Sequence, residues 1–166
     1  KIDLHDIVKE NIELFETIAT AKKLLIKNEV VKDHWVNFDR NILNLTLRNL
    51  ISNAIKFSHE GGDIIIHGEL AEKSSLIKVI DFGVGMSKDV LKTLQGLQTA
   101  KSAEGTNNEK GTGLGLSFCR EYLQKAGGEL AIDSTHGKGS TLTISVPQRA
   151  YRANSFSEPV TTHEAA

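Results

Sequence analysis

Little in this sequence staples, breaks or strongly charges the chain. Of its 166 residues one is cysteine and two are proline. A lone thiol, Cys119, excludes an internal disulfide and points to a reducing compartment. Neither sign of charge dominates: the formal net charge is -1, which leaves no field to gather nucleic acid or anionic lipid. No apolar run approaches the roughly 20 residues that a membrane helix needs. The opening Lys1-Ile2-Asp3 is not that of a signal peptide. No internal repeat and no Walker lysine motif occurs, and the six histidines have no metal-ligand spacing with one another or with Cys119. What remains is a globular composition, 39% hydrophobic and 25% charged, long enough for one domain with its own core. A cytoplasmic location is expected, with any membrane part of a parent protein lying outside this chain.

Periodicity supplies the elements. Leu4, Ile7, Asn11, Leu14, Ile18, Ala21 and Leu25 recur at steps of three and four, with Val8 and Phe15 widening the stripe, and predict one amphipathic first helix. A second helix is expected from about Arg40 to Phe57, stopped by Ser58-His59-Glu60-Gly61-Gly62. Ile64 to Leu70 and Leu76 to Asp81 are β-rich runs on either side of a polar turn at Glu72-Lys73-Ser74. A third helical stretch begins near Ser87. Thr99 to Thr112 is polar and without period, a long loop of the kind that is functional or disordered in compact domains. A further helix is expected from about Leu114 to Lys125, ended by Gly127-Gly128.

Glu129 to Ser134 and Thr141 to Val146 form a second hairpin, turned at Gly137-Lys138-Gly139. Leu142, Ile144 and Val146 alternate with Thr141, Thr143 and Ser145, so the last strand has one apolar face, and Pro147 marks its end. The expected division is a domain over 1–147 and a flexible tail over 148–166 with little to bury. Strands with helices on one side predict an α+β protein, a two-layer α/β sandwich.

Three segments carry chemistry. Asn49, Asn53 and Lys56, spaced four and three apart, share one stripe of the second helix and form the candidate catalytic set. Leu43, Leu47, Leu50, Ala54 and Phe57 cluster on another flank, free to sit on a sheet. A carboxamide can offer Mg²⁺ a neutral oxygen beside phosphate oxygens, and a lysine one turn on can neutralise phosphate charge. The same stripe also reads as an ordinary solvated helix face. Asp81-Phe82-Gly83-Val84-Gly85-Met86 follows a strand directly. A carboxylate there can accept the exocyclic amine of adenine, and glycines allow close approach of a flat ring. A plain strand-to-helix turn is the alternative. Gly111-Thr112-Gly113-Leu114-Gly115-Leu116 opens a helix, where free N–H groups attract phosphate, though its spacing is not that of a Rossmann fingerprint.

Together and in this order the three resemble the ATP-binding catalytic domain of sensor histidine kinases, of the Bergerat-fold ATPase superfamily. Leu50-Ile51-Ser52-Asn53-Ala54-Ile55-Lys56-Phe57-Ser58 resembles the N box of that family, Asp81 to Gly85 its first glycine box, and Gly111 to Leu116 its second. The hairpin Gly137-Lys138-Gly139-Ser140-Thr141 resembles its closing strands, so that the likeness runs from Lys1 to Pro147. The resemblance implies a mixed, mostly antiparallel sheet packed against about three helices, with a long ATP lid over Thr99–Thr112. It implies that Asn53 holds Mg²⁺, Lys56 touches phosphate, and Phe57 lies beside the nucleotide. Asp81 would recognise adenine, Gly83, Gly85 and Met86 would shape its pocket, and Thr141 would add a contact near adenine. Thr112, Gly113, Leu114, Gly115 and Leu116 would meet the phosphates with Gly111, and Lys110 and Lys101 could reach them from the lid. Where the family carries phenylalanines between its glycine boxes, this chain reads Leu94-Gln95-Gly96-Leu97.

Relatives of the same fold that hydrolyse ATP carry a glutamate one turn before the magnesium asparagine; here that position is Asn49, a poor general base. The resemblance therefore implies phosphoryl transfer to a histidine on a separate helical dimerisation domain, and from there to the receiver domain of a response regulator. This chain would be monomeric and its parent a homodimer. A non-catalytic ATP-binding relay module and a serine kinase or ATPase of the same superfamily remain the alternatives. His5-Asp6 begins as a phosphoacceptor site does, but Ile7-Val8-Lys9 does not continue it, and His5 reads as a helix-start residue.

Overall fold

The computed structural model describes residues 1–95 and 115–148. The expected lid and the tail beyond Gln148 lie outside the described residues. The chain runs β1 (Ile2–Asp3), α1 (Leu4–Glu13), α2 (Glu16–Ala21), β2 (Leu25–Glu29), β3 (Trp35–Val36), α3 (Arg40–Phe57), β4 (Asp63–Leu70) and β5 (Ser74–Asp81). It continues through α4 (Lys88–Gln95), α5 (Gly115–Lys125), β6 (Glu129–Thr135) and β7 (Gly139–Pro147).

Five strands form one mixed sheet in the order β2-β4-β5-β7-β6, with β2 parallel to β4 and the remaining pairs antiparallel. Strand alternation decides its faces. Ile64 and Ile66 of β4, Ile77 and Val79 of β5, Ile144 and Val146 of β7, and Ile132 of β6 are buried on the face that meets the helices. From the other layer come Leu4, Ile7 and Val8 of α1, Leu43, Leu47, Leu50 and Ile51 of α3, and Cys119 and Leu123 of α5. Each such aliphatic side chain contributes about 1.5–3 kcal/mol of burial, which is why α3, with the most of them, anchors the layer. Burial pushes the Cys119 thiol up to about 11, in keeping with a small core residue. The two-layer α+β sandwich expected from the sequence is present, and no described helix is long and apolar enough to cross a membrane.

α3 has the bounds expected. Asp39 caps it, its carboxylate accepting from Asn41 N at 2.8 Å and Ile42 N at 3.0 Å. At the other end the C-terminal carbonyls are met by a buried cation. The Nζ of Lys22, 5% exposed, donates to Ile55 O at 2.8 Å and Lys56 O at 3.0 Å. A positive charge here complements the negative end of the helix dipole and occupies carbonyls that have no intrahelical partner. Asn11 ties α1 to the same helix, donating to Asn44 Oδ1 at 2.7 Å and accepting from Arg48 Nε at 3.2 Å.

The first helix departs from expectation. The chain breaks at Leu14–Phe15, where Phe15 N turns back to Ile12 O at 2.9 Å, and a second short helix begins in a new phase. Ala19 and Leu24 then take the inward places, while Leu14 is 59% and Ile18 57% exposed. Leu25 falls in β2 rather than on a helix, and is exposed. A step of three or four along the sequence survives a break that the physical helix does not.

The Lys22 contacts lead to a prediction about the end of α3. Lys22→Met should destabilise the chain by about 1–3 kcal/mol, the cost of stranding buried hydrogen-bonding groups. A urea midpoint unchanged from wild type would show that the ammonium adds nothing there.

Candidate functional site

The stripe on α3 lies where its spacing predicts. Leu43, Leu47, Leu50 and Ala54 are buried on the sheet, while Asn49, Asn53, Lys56 and Phe57 are half-buried along the flank. Asn53 Nδ2 donates to Asn49 Oδ1 at 3.1 Å, and the Lys56 ammonium lies 5.0 Å from the centroid of the Phe57 ring.

Asp81 closes β5 with its side chain on the helix-facing side, 4% exposed. Its carboxylate accepts from Gly83 N at 2.9 Å and from the backbone of Ser140. Burial pushes its pKa above the ordinary carboxylate value, and the two backbone N–H groups only partly offset that. The loop that follows is clamped on both sides. Val84 N donates to Phe57 O at 3.0 Å, Gly137 N donates to Val84 O at 2.7 Å, and Met86 N donates to Ser134 Oγ at 2.8 Å. The first of these bonds ties the loop to the last residue of α3, one turn beyond Asn53. The structure thus brings the loop after Asp81, at Gly83 and Val84, up against the end of α3 that carries Lys56 and Phe57, while Gly85 and Met86 meet Thr135 and Ser134 of β6.

The two glycines of the loop meet backbone on the side where a Cβ would stand. A Cβ on Gly83 would stand 2.0 Å from Phe57 O, and one on Gly85, whose φ is +61°, would stand 2.1 Å from Thr135 O. Gly83 thereby lets the loop after β5 touch the end of α3, and Gly85 lets it touch the end of β6.

Thr141 stands one residue beyond the direct partner of Asp81 on β7, pairing with Ile80 and Asp133. It lines a cleft of about 180 Å³ in common with Asp81 and Ser140, and with Ile80, Phe82, Asp133 and Lys138. Ser140 pairs directly with Asp81 and shares its face, buried, with its Oγ 2.9 Å from Ser134 Oγ. The signal was present in the alternation of Leu142, Ile144 and Val146, whose inward parity extends back to Ser140. Ser134 was overlooked because nothing local marks it; its Oγ also donates to Gly139 O at 2.9 Å.

Gly115 and the half-buried Leu116 open α5 beside α3, with Gly115 directly against the Asn49 carboxamide. Lys101, Lys110, Gly111, Thr112, Gly113 and Leu114 lie outside the described residues. Among the described residues no group of three or more His, Cys, Asp or Glu could hold a metal ion. The metal-capable donor on the flank is the neutral amide oxygen of Asn53. That suits a hard cation such as Mg²⁺, which takes one or two protein oxygens and keeps phosphate and water for the rest.

Known proteins share this arrangement. Residues 38–150 match the family described as histidine kinase-, DNA gyrase B-, and HSP90-like ATPase. The chain is 34% identical over 150 residues to sensor histidine kinase WalK of Bacillus subtilis, covering 89% of this chain and 24% of WalK. Sporulation kinase C of the same organism is 33% identical over 149 residues, with 89% of this chain and 33% of that kinase covered. The chain therefore spans a third or less of the length of these two relatives. A nucleotide-free catalytic domain of histidine kinase ThkA superposes with a TM-score of 0.74 at 25% identity, over 89% of this chain and 94% of that one. ThkA in complex with response regulator protein TrrA superposes with a TM-score of 0.71 at 22% identity, over 89% of this chain and 41% of that one, a likeness of fold.

Burial of Asp81 sets the sign of a stability prediction. A carboxyl whose pKa is raised on folding favours the folded state while protonated, and that advantage is lost as pH rises through the raised value. Measured against Asp81→Asn, wild-type stability should fall as pH rises from the ordinary carboxylate range, about 4, toward neutrality. At neutral pH the variant should melt no lower than wild type. Thermal melts across that range check it; a wild-type advantage growing with pH would contradict the sign.

Proposed function

The chain belongs to the family of histidine kinase-, DNA gyrase B- and HSP90-like ATPases, and from that footing we propose that it is the Mg-ATP-binding catalytic module of a sensor histidine kinase. It passes the γ-phosphoryl group of ATP to a histidine nitrogen on a helical dimerisation domain, releasing ADP. The phosphoryl group then goes to the receiver domain of a response regulator. The observation that carries this reading is the clamp between the Asp81 loop and Phe57 O, which sets a buried carboxylate beside the helix that carries Asn53 and Lys56.

In this reading Asp81 accepts the exocyclic amine of adenine, with Ser140 paired beside it and Thr141 adding a contact near adenine. Gly83, Gly85 and Met86 form the wall of the base pocket, and Phe57 lies along the nucleotide. Lys56 meets phosphate charge, and Lys110, Gly111, Thr112, Gly113, Leu114, Gly115 and Leu116 lie on the phosphate side. Asn53 gives its amide oxygen to Mg²⁺. Bound there, Mg²⁺ supplies neutralisation of charge on the phosphate oxygens. Asn49 is neutral and lacks the basicity to activate water, which favours transfer over hydrolysis. The module acts in the cytoplasm as part of a homodimeric parent and is monomeric by itself.

The decisive experiment mixes the chain with Mg-ATP and the matching helical histidine domain and looks for acid-labile phosphate. Transfer is expected, with negligible phosphate release by the chain alone. ATP binding without transfer would favour a non-catalytic relay module, and robust steady-state hydrolysis would favour an ATPase. Asp81→Asn should weaken ATP binding by about 1–3 kcal/mol, the cost of a lost buried partner. Calorimetric affinity equal to wild type would remove Asp81 from the adenine site.

A further inference from the structure

Asn49 stands one helical turn before Asn53, its oxygen hydrogen-bonded and its carboxamide in steric contact with Gly115. Its Oδ1 accepts from Asn53 Nδ2 at 3.1 Å. The amide rests on the first residue of α5. A Cβ built on Gly115 would stand 2.1 Å from Asn49 Nδ2, 2.9 Å from Cγ and 3.0 Å from Oδ1. Only a glycine hydrogen fits at that place while Asn49 keeps this position.

A carboxamide has one accepting pole and one donating pole, so fixing one fixes the other. With Nδ2 of Asn53 turned toward Asn49, its Oδ1 is turned away from Asn49. Were Asn49 to present a donor instead, the oxygen of Asn53 would be consumed within the helix. The flank would then offer a cation an NH₂ group.

Resting on the nucleotide-binding reading above, we propose that Asn49 is a positioning residue that aims the oxygen of Asn53 at the cation and is itself held by contact with Gly115. Asn49 takes no part in proton transfer. Glycine at 115 is required because the amide of Asn49 fills the space where a side chain would go, whatever the backbone of the loop does with phosphate. The pair links the start of α5 to the metal-facing flank of α3 through one amide.

The test uses the 166-residue chain and measures ADP affinity by calorimetry, with Mg²⁺ and with chelator. The quantity of interest is the gain in affinity that Mg²⁺ confers. Asn53→Ala should abolish that gain. Asn49→Ala should reduce it about tenfold, the low end of the cost of removing an outer-shell partner. Gly115→Ala should reproduce the loss with Asn49 still present, and should add nothing in the Asn49→Ala background, where its Cβ has room. Should Gly115→Ala fail to fold, Asn49→Ala alone decides.

A full Mg²⁺ gain in Asn49→Ala would overturn the proposal. So would an equal loss of affinity with and without Mg²⁺, or full additivity of the two substitutions. If wild type binds ADP equally in both conditions, the cation role of Asn53 falls and this proposal with it, while the adenine site stands. If wild type binds no adenine nucleotide at all, the nucleotide-binding reading itself is wrong.

Discussion

The arrangement depends on a contact between two backbones. At the end of α3 the carbonyl of Phe57 accepts from Val84 N, and the chain passes so close that Gly83 has no room for a Cβ. Two elements far apart in sequence are thereby brought together at their ends: the helix that carries the amides and the strand that carries the carboxylate. Neither the apolar stripe of α3 nor the inward face of β5 determines this by itself, since a helix can slide along a sheet with little change in buried area. A hydrogen bond at backbone contact distance removes that freedom. Lys22 strengthens the same junction from below, occupying the carbonyls of Ile55 and Lys56 so that the last turn keeps its form.

The junction carries a cost that a bound ligand, in the reading proposed above, would offset. Asp81 is nearly enclosed, and two backbone N–H groups do not fully compensate the loss of water around its charge. A chain selected for stability alone would place an apolar residue or an amide at the end of β5, as it does with Ile77 and Val79 further along the same face. The carboxylate instead keeps accepting capacity in a place where the sheet edge is otherwise satisfied. Strain of this kind, a buried charge with lone pairs to spare, is what a donor on a flat heterocycle would relieve.

Much of this was legible in the sequence, and the parts that were not share a cause. α3 was readable end to end because the apolar spacing and the polar stop after Phe57 agree with one another. The two hairpins were readable because alternation and turn residues coincide. The first helix was misread because Leu14, Ile18 and Leu25 prolong a step pattern across a break that only tertiary packing reveals. Ser140, the direct partner of Asp81, was not singled out, although the parity of Leu142, Ile144 and Val146 extends back to it. The backbone contacts at Gly83 and Gly85 were not visible, because the atoms that exclude a side chain there belong to Phe57 and Thr135, remote along the chain. Patterns within one element survive reading from sequence; contacts between elements do not.

The neutral flank of α3 ties the chemistry to that packing. A carboxylate at position 49 would bind water and metal more strongly than an amide, but it could only accept. In the proposed reading its charge would also lie beside the phosphates. An amide keeps its oxygen on Asn53 and fits against Gly115 without adding negative charge beside Asn53. In the proposed reading, water then finds no base in Asn49, whereas a neutral imidazole nitrogen delivered from another domain would attack with its own lone pair.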